Sequence, residues 1–167
     1  MTGDELRTLQ APVKARYQDI PAAAHLTLKA EGTLAGENLL CRVETDHGPI
    51  DAGLHPAAGG DGFSACSGDM LLQSLVACAG VTLQAVATAM SIPLRGGTVT
   101  AEGDLDFRGT LGVSKEVPVG FKSIRLNFHL ETEATPEQLA TLLKLTERYC
   151  VIYQTLKSPP EVTAAIV

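Results

Sequence analysis

The sequence contains no tryptophan, and aromatic residues make up only 4% of its 167 positions. The core must therefore be built from aliphatic side chains and alanine, which the 45% hydrophobic content supplies. The net charge is −6, and the sequence has no cluster of lysine or arginine. Because nucleic acids and anionic membrane surfaces bind through clustered positive charge, we expect neither as a partner.

Two common signatures of binding sites are missing as well. The four cysteines form no CxxC pair and the four histidines are scattered, so the spacing of a structural zinc site is absent and we expect no metal. The glycine-rich tract at 59–62 has neither the GxxxxGK nor the GxGxxG spacing of a phosphate-binding loop. This absence favours a flexible connection there.

The first residues and the length predict the cellular compartment and the number of domains. The start is polar and lacks the basic residues and apolar run of a signal peptide, so we expect a cytoplasmic protein with reduced thiols. The length is that of one ordinary domain. We predict a single domain over 1–167 with a short N-terminal helical extension at about 1–20, which is expected to be interrupted at Pro12.

Alternation of apolar and polar residues predicts the strands. The clearest case is Ile124–Leu130, and shorter alternating runs lie at 25–30, 40–44, 97–109 and 161–166. We expect antiparallel pairing among them.

Two segments have the pattern of helices. The segment from Ser67 to about Ile92 has no charged residue after Asp69, and it is long enough to cross a bilayer. Their alanine content and scattered polar residues favour instead a core helix that is enclosed on most sides. The capping box of Thr135 and Gln138 begins a second helix, whose predicted inward stripe is Leu139, Leu142, Leu143, Thr146, Tyr149 and Cys150. The order of elements predicts an α+β domain, with an antiparallel sheet packed on a long buried central helix and a second C-terminal helix.

Two cysteines, Cys78 and Cys150, lie in apolar helical stretches, where a thiol is by default an inert small hydrophobe. Their surroundings, Val76–Leu83 and Cys150–Leu156, together with Gly120–Ile124 between them, resemble the OsmC/Ohr superfamily of osmotically inducible and organic hydroperoxide resistance proteins. Members carry a cysteine after small residues in a long apolar helix, a Gly-Phe-x-x-Ile strand entry and a late Cys-Pro-Val-Ser-x-Thr-Leu segment.

The resemblance implies an OsmC-like fold and a thiol peroxidase. Cys78 would attack an organic hydroperoxide and become a sulfenic acid, and Cys150 would resolve it as a disulfide that an external dithiol reduces. The resemblance also implies that no cofactor takes part and that the protein is a homodimer with residues of both chains at each site.

The sequence departs from the family in the groups that would ionise Cys78. The family uses an arginine held by a glutamate at the start of the long helix. Here that glutamate position falls on Gly68, and no arginine lies between Asp46 and Cys78. The candidate activators of the thiol are therefore Arg42, His55 and Asp69.

A second departure lies at Val151, which replaces the family's proline after the second cysteine. We expect valine to let the helix run on through Cys150.

Two functions remain open. One is the peroxidase, and the other is a catalytically impaired OsmC-like protein that acts as a small apolar ligand-binding or structural module. An extra thiol, Cys66, is expected to be a spectator.

Overall fold

The computed structural model describes residues 1–35 and 39–167. In chain order the helices and strands are α1 Gly3–Asp19, β1 Gly32–Ala35, β2 Leu40–Val43, β3 Ile50–Gly53, β4 Ala65–Cys66, α2 Ser67–Ala89, β5 Leu94–Asp104, α3 Phe107–Thr110, β6 Ser123–Thr132, α4 Pro136–Tyr149 and α5 Val151–Lys157. Short 3₁₀ turns lie at Pro21–Ala24 and Pro56–Ala58. This mixture of helices and small sheets confirms the predicted α+β class.

The chain forms two compact units, each made of more than one segment. The first unit contains residues 1–22, 74–100 and 126–167, and the second contains 23–73 and 101–125. The single domain expected for 1–167 stays a prediction.

In the first unit, the core forms around the C-terminal half of α2. Leu83, Val86 and Ala87 of this helix pack with Ile92 and with Leu142 of α4. Half-buried side chains of β6, Phe128 and Leu130 among them, lie against this cluster. Half-buried and exposed residues alternate along the whole of β6, as its sequence predicted.

Helix α2 begins at Ser67, the predicted cap, and ends at Ala89, three residues before the predicted end. Ser91 stops it by adopting a left-handed backbone (φ 56°), while the Ile92 N–H donates to the Ala87 carbonyl at 2.9 Å. This is the bonding pattern of a Schellman C-cap.

The expectation that α2 is enclosed on most sides is not met within the single chain. Leu75, Ala79 and Leu83 are buried, but the side chain of Val81 is 72% exposed. By length and composition alone the helix could cross a membrane, although the core helix of a soluble protein passes the same test. Its buried residues in the first-unit core agree with a core helix.

In the second unit, a four-stranded sheet has the order β1-β2-β3-β4. The first two pairings are antiparallel, but β3 and β4 pair in parallel, which the sequence had not indicated. The other sheet pairs β5 with β6. Its strands are antiparallel, because the Thr132 hydroxyl donates to the Pro93 carbonyl and the Lys122 N–H donates to the Asp104 carbonyl.

Three sequence predictions are wrong at the two ends of the chain. The alternating run at 25–30 has no regular structure, and the strand lies instead at Gly32–Ala35, where β2 supplies its hydrogen-bond partners. Residues 159–167 likewise form no strand, and their apolar side chains are exposed. Helix α1 continues through Pro12, so the interruption expected there is wrong.

Helix α4 begins with the predicted capping box of Thr135 and Gln138. Its buried line is narrower than the predicted stripe. Leu142, Thr146 and Cys150 follow one another at intervals of four and are each 1% exposed, whereas Leu143 and Tyr149 lie to the sides and are exposed. Leu139 of the predicted stripe and Leu145 beside it are half-buried and also pack against the core.

Two adjacent leucines of α4 provide a matched test of this core. Leu142→Ala removes a side chain that is 1% exposed, and it should lower the free energy of unfolding by about 2–5 kcal/mol. Leu143→Ala, at a position that is 44% exposed, should cost less than about 1 kcal/mol. Urea unfolding of both variants measures the difference, and equal losses would place the core elsewhere.

Candidate active site

The structure brings the thiols of Cys78 and Cys150 together within the first unit, where each affects the pKa of the other. Cys78 lies on α2 and is partly buried. Cys150 lies between α4 and α5 and is 1% exposed. Both cysteines are free thiols.

The backbone at Cys150 separates two helices, so the prediction that one helix runs on through this residue is wrong. Cys150 is extended, with φ −74° and ψ 109°. Its N–H donates to the Thr146 carbonyl at 2.9 Å, and its carbonyl accepts from the Gln154 N–H at 3.0 Å. Cys150 is therefore the last residue bonded to α4 and the cap of α5.

The break leaves the first N–H groups of α5 without acceptors inside the helix. The N–H groups of Val151 and Ile152 lower the pKa of Cys78, and those of Tyr153 and Ile152 lower the pKa of Cys150. The side chain of Cys150 makes no capping hydrogen bond to α5. The break thus directs backbone N–H groups towards the thiol pair.

These donors set the pKa of Cys78. Burial by itself raises the pKa, but the Ile152 N–H, the Cys150 thiol, the Val151 N–H and the Thr82 hydroxyl all hydrogen-bond the sulfur and together hold the pKa below its ordinary value. A donor that bonds the charged form favours that form. Cys78 is thereby the thiol that ionises more readily.

The surroundings of Cys150 raise its pKa instead. Burial raises its pKa, and the neighbouring Cys78 sulfur raises it further, while the N–H groups of Tyr153 and Ile152 oppose the shift. The surroundings therefore separate the two thiols, lowering the pKa of Cys78 and raising that of Cys150.

The three candidate activators predicted from the sequence belong to the second unit, and the structure assigns other contacts to two of them. The guanidinium of Arg42 on β2 forms two hydrogen bonds with Asp51 on β3, of 2.8 and 2.9 Å. The pair raises the pKa of Arg42 and lowers that of Asp51. The Nδ1 of His55 accepts the Ala57 N–H at 3.0 Å, and its ring stacks on Phe107. Asp69 lies in the first turn of α2.

The groups that lower the pKa of Cys78 are neutral donors, and sequence reasoning missed the two from the backbone. The available signal was the valine that follows Cys150. The family's proline has no N–H to give, whereas Val151 has one. The substitution that seemed to weaken the resemblance adds a donor to the site.

The remaining cysteine near α2, Cys66, lies on β4 in the second unit. It lines a cavity of about 270 Å³ together with His55, Phe107 and Phe121. Among residues 1–35 and 39–167, no group of three or more His, Cys, Asp or Glu side chains is placed to hold a metal ion.

Comparison with known proteins identifies the family. Residues 59–165 match the family model of the OsmC-like protein, and the chain belongs to that family. No functionally curated protein matches the chain in sequence.

Solved structures of OsmC and Ohr proteins share the fold. An OsmC-like protein of Mycoplasma pneumoniae superposes with a TM-score of 0.66 at 15% identity, covering 80% of this chain and 89% of its own. An organic hydroperoxide resistance protein OsmC of Legionella pneumophila, described as a predicted redox protein, gives 0.62 at 22% identity, with 81% and 92% covered. The organic hydroperoxide resistance protein OhrB of Bacillus subtilis gives 0.53 at 19%, with 79% and 93% covered. At these identities the likeness shows the fold alone.

The donor role of Val151 can be tested by removing its N–H. Val151→Pro suits the first position of α5, and the extended backbone of Cys150 suits a residue that precedes proline. The variant should raise the pKa of Cys78 by about one unit, since a hydrogen bond to the thiolate is lost. The rate of iodoacetamide alkylation at Cys78, measured against pH by mass spectrometry, gives this pKa.

Val151→Ala is the matched control, because it shortens the same exposed side chain and keeps the N–H. Its alkylation midpoint should equal that of the unmodified chain, which we expect below the ordinary value of about 8.5. An unchanged midpoint in Val151→Pro would contradict the role of this N–H.

Proposed function

We propose that this protein is a thiol-dependent peroxidase that reduces organic hydroperoxides, with Cys78 as the nucleophile and Cys150 as the resolving thiol. The observation that carries the proposal is the pairing of the two free thiols in the first unit, in which Cys78 has the lowered pKa and Cys150 the raised one. Membership of the OsmC-like family supports it. The names of the Legionella and Bacillus structures point to the same chemistry.

The first step uses the Cys78 thiolate. It attacks the terminal oxygen of the hydroperoxide, so that an S–O bond forms and the O–O bond breaks. The electron pair leaves with the alkoxide, which takes up a proton and departs as the alcohol. Cys78 is then a sulfenic acid, the reversible stage of cysteine oxidation.

In the second step Cys150 attacks the sulfenic sulfur of Cys78. A disulfide forms and the hydroxyl leaves with the Cys150 proton as water. An external dithiol then reduces the disulfide and becomes oxidised itself, which restores both thiols. Because Cys78 is partly exposed and Cys150 is buried, the dithiol attacks the Cys78 sulfur. A reducing cytoplasm is the compartment that this cycle requires.

A catalytically impaired binding or structural module is the second candidate. It is favoured by the absence of the family's arginine and glutamate, since Arg42 pairs with Asp51 and Gly68 replaces the glutamate. This alternative requires an ordinary pKa for Cys78 and slow reaction of that thiol at neutral pH.

A peroxide titration separates the two functions. With cumene hydroperoxide, mass spectrometry of the unmodified chain should find a Cys78–Cys150 disulfide. Cys150→Ser should stop at the sulfenic acid of Cys78, trapped with dimedone, and Cys78→Ser should remain unoxidised at Cys150. Cys66→Ser is the control and should behave as the unmodified chain does. If both thiols stay free in excess peroxide, the module is the better description.

We also propose that the protein is a homodimer. Large apolar side chains are exposed across the first unit, and a monomer rarely leaves so many in water. They lie on several elements, and two of them flank Cys150: Leu9, Val13, Tyr17, Ile20, Val81, Leu143, Tyr149 and Val151. A second copy of the chain is the partner that would cover them.

Sedimentation at micromolar concentration tests this assembly. The unmodified chain should sediment as a dimer of 17.5 kDa subunits. Val81→Glu places a charge on the exposed face of α2 and should yield monomers, while Val81→Ala should leave the dimer in place. A monomeric unmodified chain would reject the proposal.

A further inference from the structure

A cavity of about 270 Å³ lies in the second unit, and aromatic side chains line it. Phe107 and Phe121 are two of the four phenylalanines in a chain that has few aromatic residues. His55 lines the cavity as well, and its ring stacks on that of Phe107 with the two centres 5.1 Å apart. A second hollow of about 340 Å³ shares these three residues with the cavity. Half of the phenylalanines are thus gathered around one space.

A glycine in the first turn of α2 leaves this space open. Gly68 lines both the cavity and the second hollow. A Cβ at this position would lie 3.5 Å from the ring of Phe121, 3.6 Å from the sulfur of Cys66 and 3.7 Å from the side chain of Leu105. Because these three residues also line the cavity, a longer side chain at position 68 would enter the space between them.

One carboxylate ties together the two segments that carry the phenylalanines. Asp106 directly precedes Phe107 and caps α3, where it accepts the Arg108 N–H at 3.2 Å. It also accepts the ammonium of Lys122, the residue after Phe121, at 2.9 Å. Hydrogen bonds from Arg108 and Lys122 lower the pKa of Asp106, so the carboxylate is charged at neutral pH. The cavity is therefore formed before a ligand enters it, which reduces the cost of binding.

The size and the lining of the cavity define what fits into it. Apolar cavities of about 150 Å³ accept one benzene ring. The larger volume of this cavity has room for a ring with a substituent. Aromatic rings attract one another in stacked and edge-to-face arrangements, an advantage that an alkyl chain lacks. The Nδ1 of His55 accepts the Ala57 N–H at 3.0 Å, so the neutral imidazole carries its proton on Nε2 and offers a hydrogen-bond donor there.

We propose that this cavity is a binding site for a small planar aromatic molecule that carries a hydrogen-bond acceptor, such as an aryl ketone. The ring of the ligand packs against Phe107 and Phe121, and its acceptor takes the Nε2–H of His55. The thiol pair belongs to the first unit and has no part in this binding. The inference therefore goes beyond the proposed peroxidase and does not depend on it.

Fluorine NMR with 4-fluoroacetophenone as the probe measures this binding directly. The probe signal should shift and broaden on titration with the unmodified chain. 4-Fluorotoluene lacks the carbonyl and should bind about fivefold more weakly, since one hydrogen bond is lost. Cyclohexyl methyl ketone keeps the carbonyl without a planar ring, so it should displace the probe about tenfold less well than acetophenone does. A probe signal that does not change overturns the inference, and so does equal displacement by the two ketones.

Variants of Gly68 locate the probe. Gly68→Leu fills the cavity from α2 and should weaken binding about tenfold or more, because the added side chain and the ligand compete for one space. Circular dichroism checks that this variant folds. If it does not, Gly68→Ala serves instead, because its methyl group would make ordinary contacts at 3.5–3.7 Å. This smaller change should still weaken binding about threefold.

Two matched controls lie outside the cavity. Gly80→Ala changes a glycine of the same helix in the first unit, where the added methyl group would contact Val99 at 3.6 Å. Phe63→Ala removes a phenylalanine of the second unit whose side chain is 94% exposed. Both variants should bind the probe as the unmodified chain does. Binding that survives the change at Gly68, or a comparable loss in Phe63→Ala, would place the probe elsewhere and overturn the inference. The titration needs no peroxide, so its result is independent of whether the thiol pair is a peroxidase.

Discussion

The extended backbone of Cys150 separates α4 from α5, and the surroundings of the thiol pair depend on it. In an unbroken helix the Val151 N–H would bond the Glu147 carbonyl. At the break this N–H instead lowers the pKa of Cys78. The burial of Cys150, the two helices and the donors around both sulfurs all depend on that one extended residue.

The position of Cys78 explains why donors must come from another element. It lies in the interior of α2, where the backbone N–H groups of its own helix are used in intrahelical bonds, and the effect of the helix dipole is confined to the ends. Burial alone would keep the thiol neutral. The start of α5 supplies N–H groups that no other acceptor in that helix can use. The N–H groups at the start of α5 therefore lower the pKa of Cys78 in the middle of α2.

The sequence predicted best the features that local residues determine. The capping box of α4 and the start of α2 follow from a few neighbouring side chains, and the alternation of β6 follows from one buried face. The strand expected at 25–30 shows the limit of such reasoning. Alternation indicates which face of a strand is buried, but a strand also needs a neighbouring strand as its hydrogen-bond partner. Strand β2 pairs with the chain only from residue 32 onward.

In the candidate site, too, one feature could be predicted from the sequence and another could not. The meeting of two cysteines could be anticipated from the family motifs, because the motifs preserve their positions on two helices. The helical break could not, since valine has no local tendency to end a helix at Cys150, and the hydrogen bond across the break comes from the side chain of Gln154. The search for an activator looked for charged side chains, whereas the groups that lower the pKa of Cys78 are neutral: two backbone N–H groups, the Cys150 thiol and the Thr82 hydroxyl.

The loss of the family's arginine and the gain of an N–H at Val151 have related physical consequences. A buried cation must lose its hydration before it can stabilise a thiolate, and the pair repays that cost only with good geometry. A backbone N–H that a helix start leaves unbonded has already lost its partner, so bonding it to the sulfur satisfies the donor and the thiolate together. Each donor is weaker than a guanidinium, but Cys78 receives several of them, from Val151, Ile152, Thr82 and Cys150. Several neutral groups can thus favour a thiolate in place of one charge, provided that the extended backbone at Cys150 leaves the N–H groups of α5 free to face it.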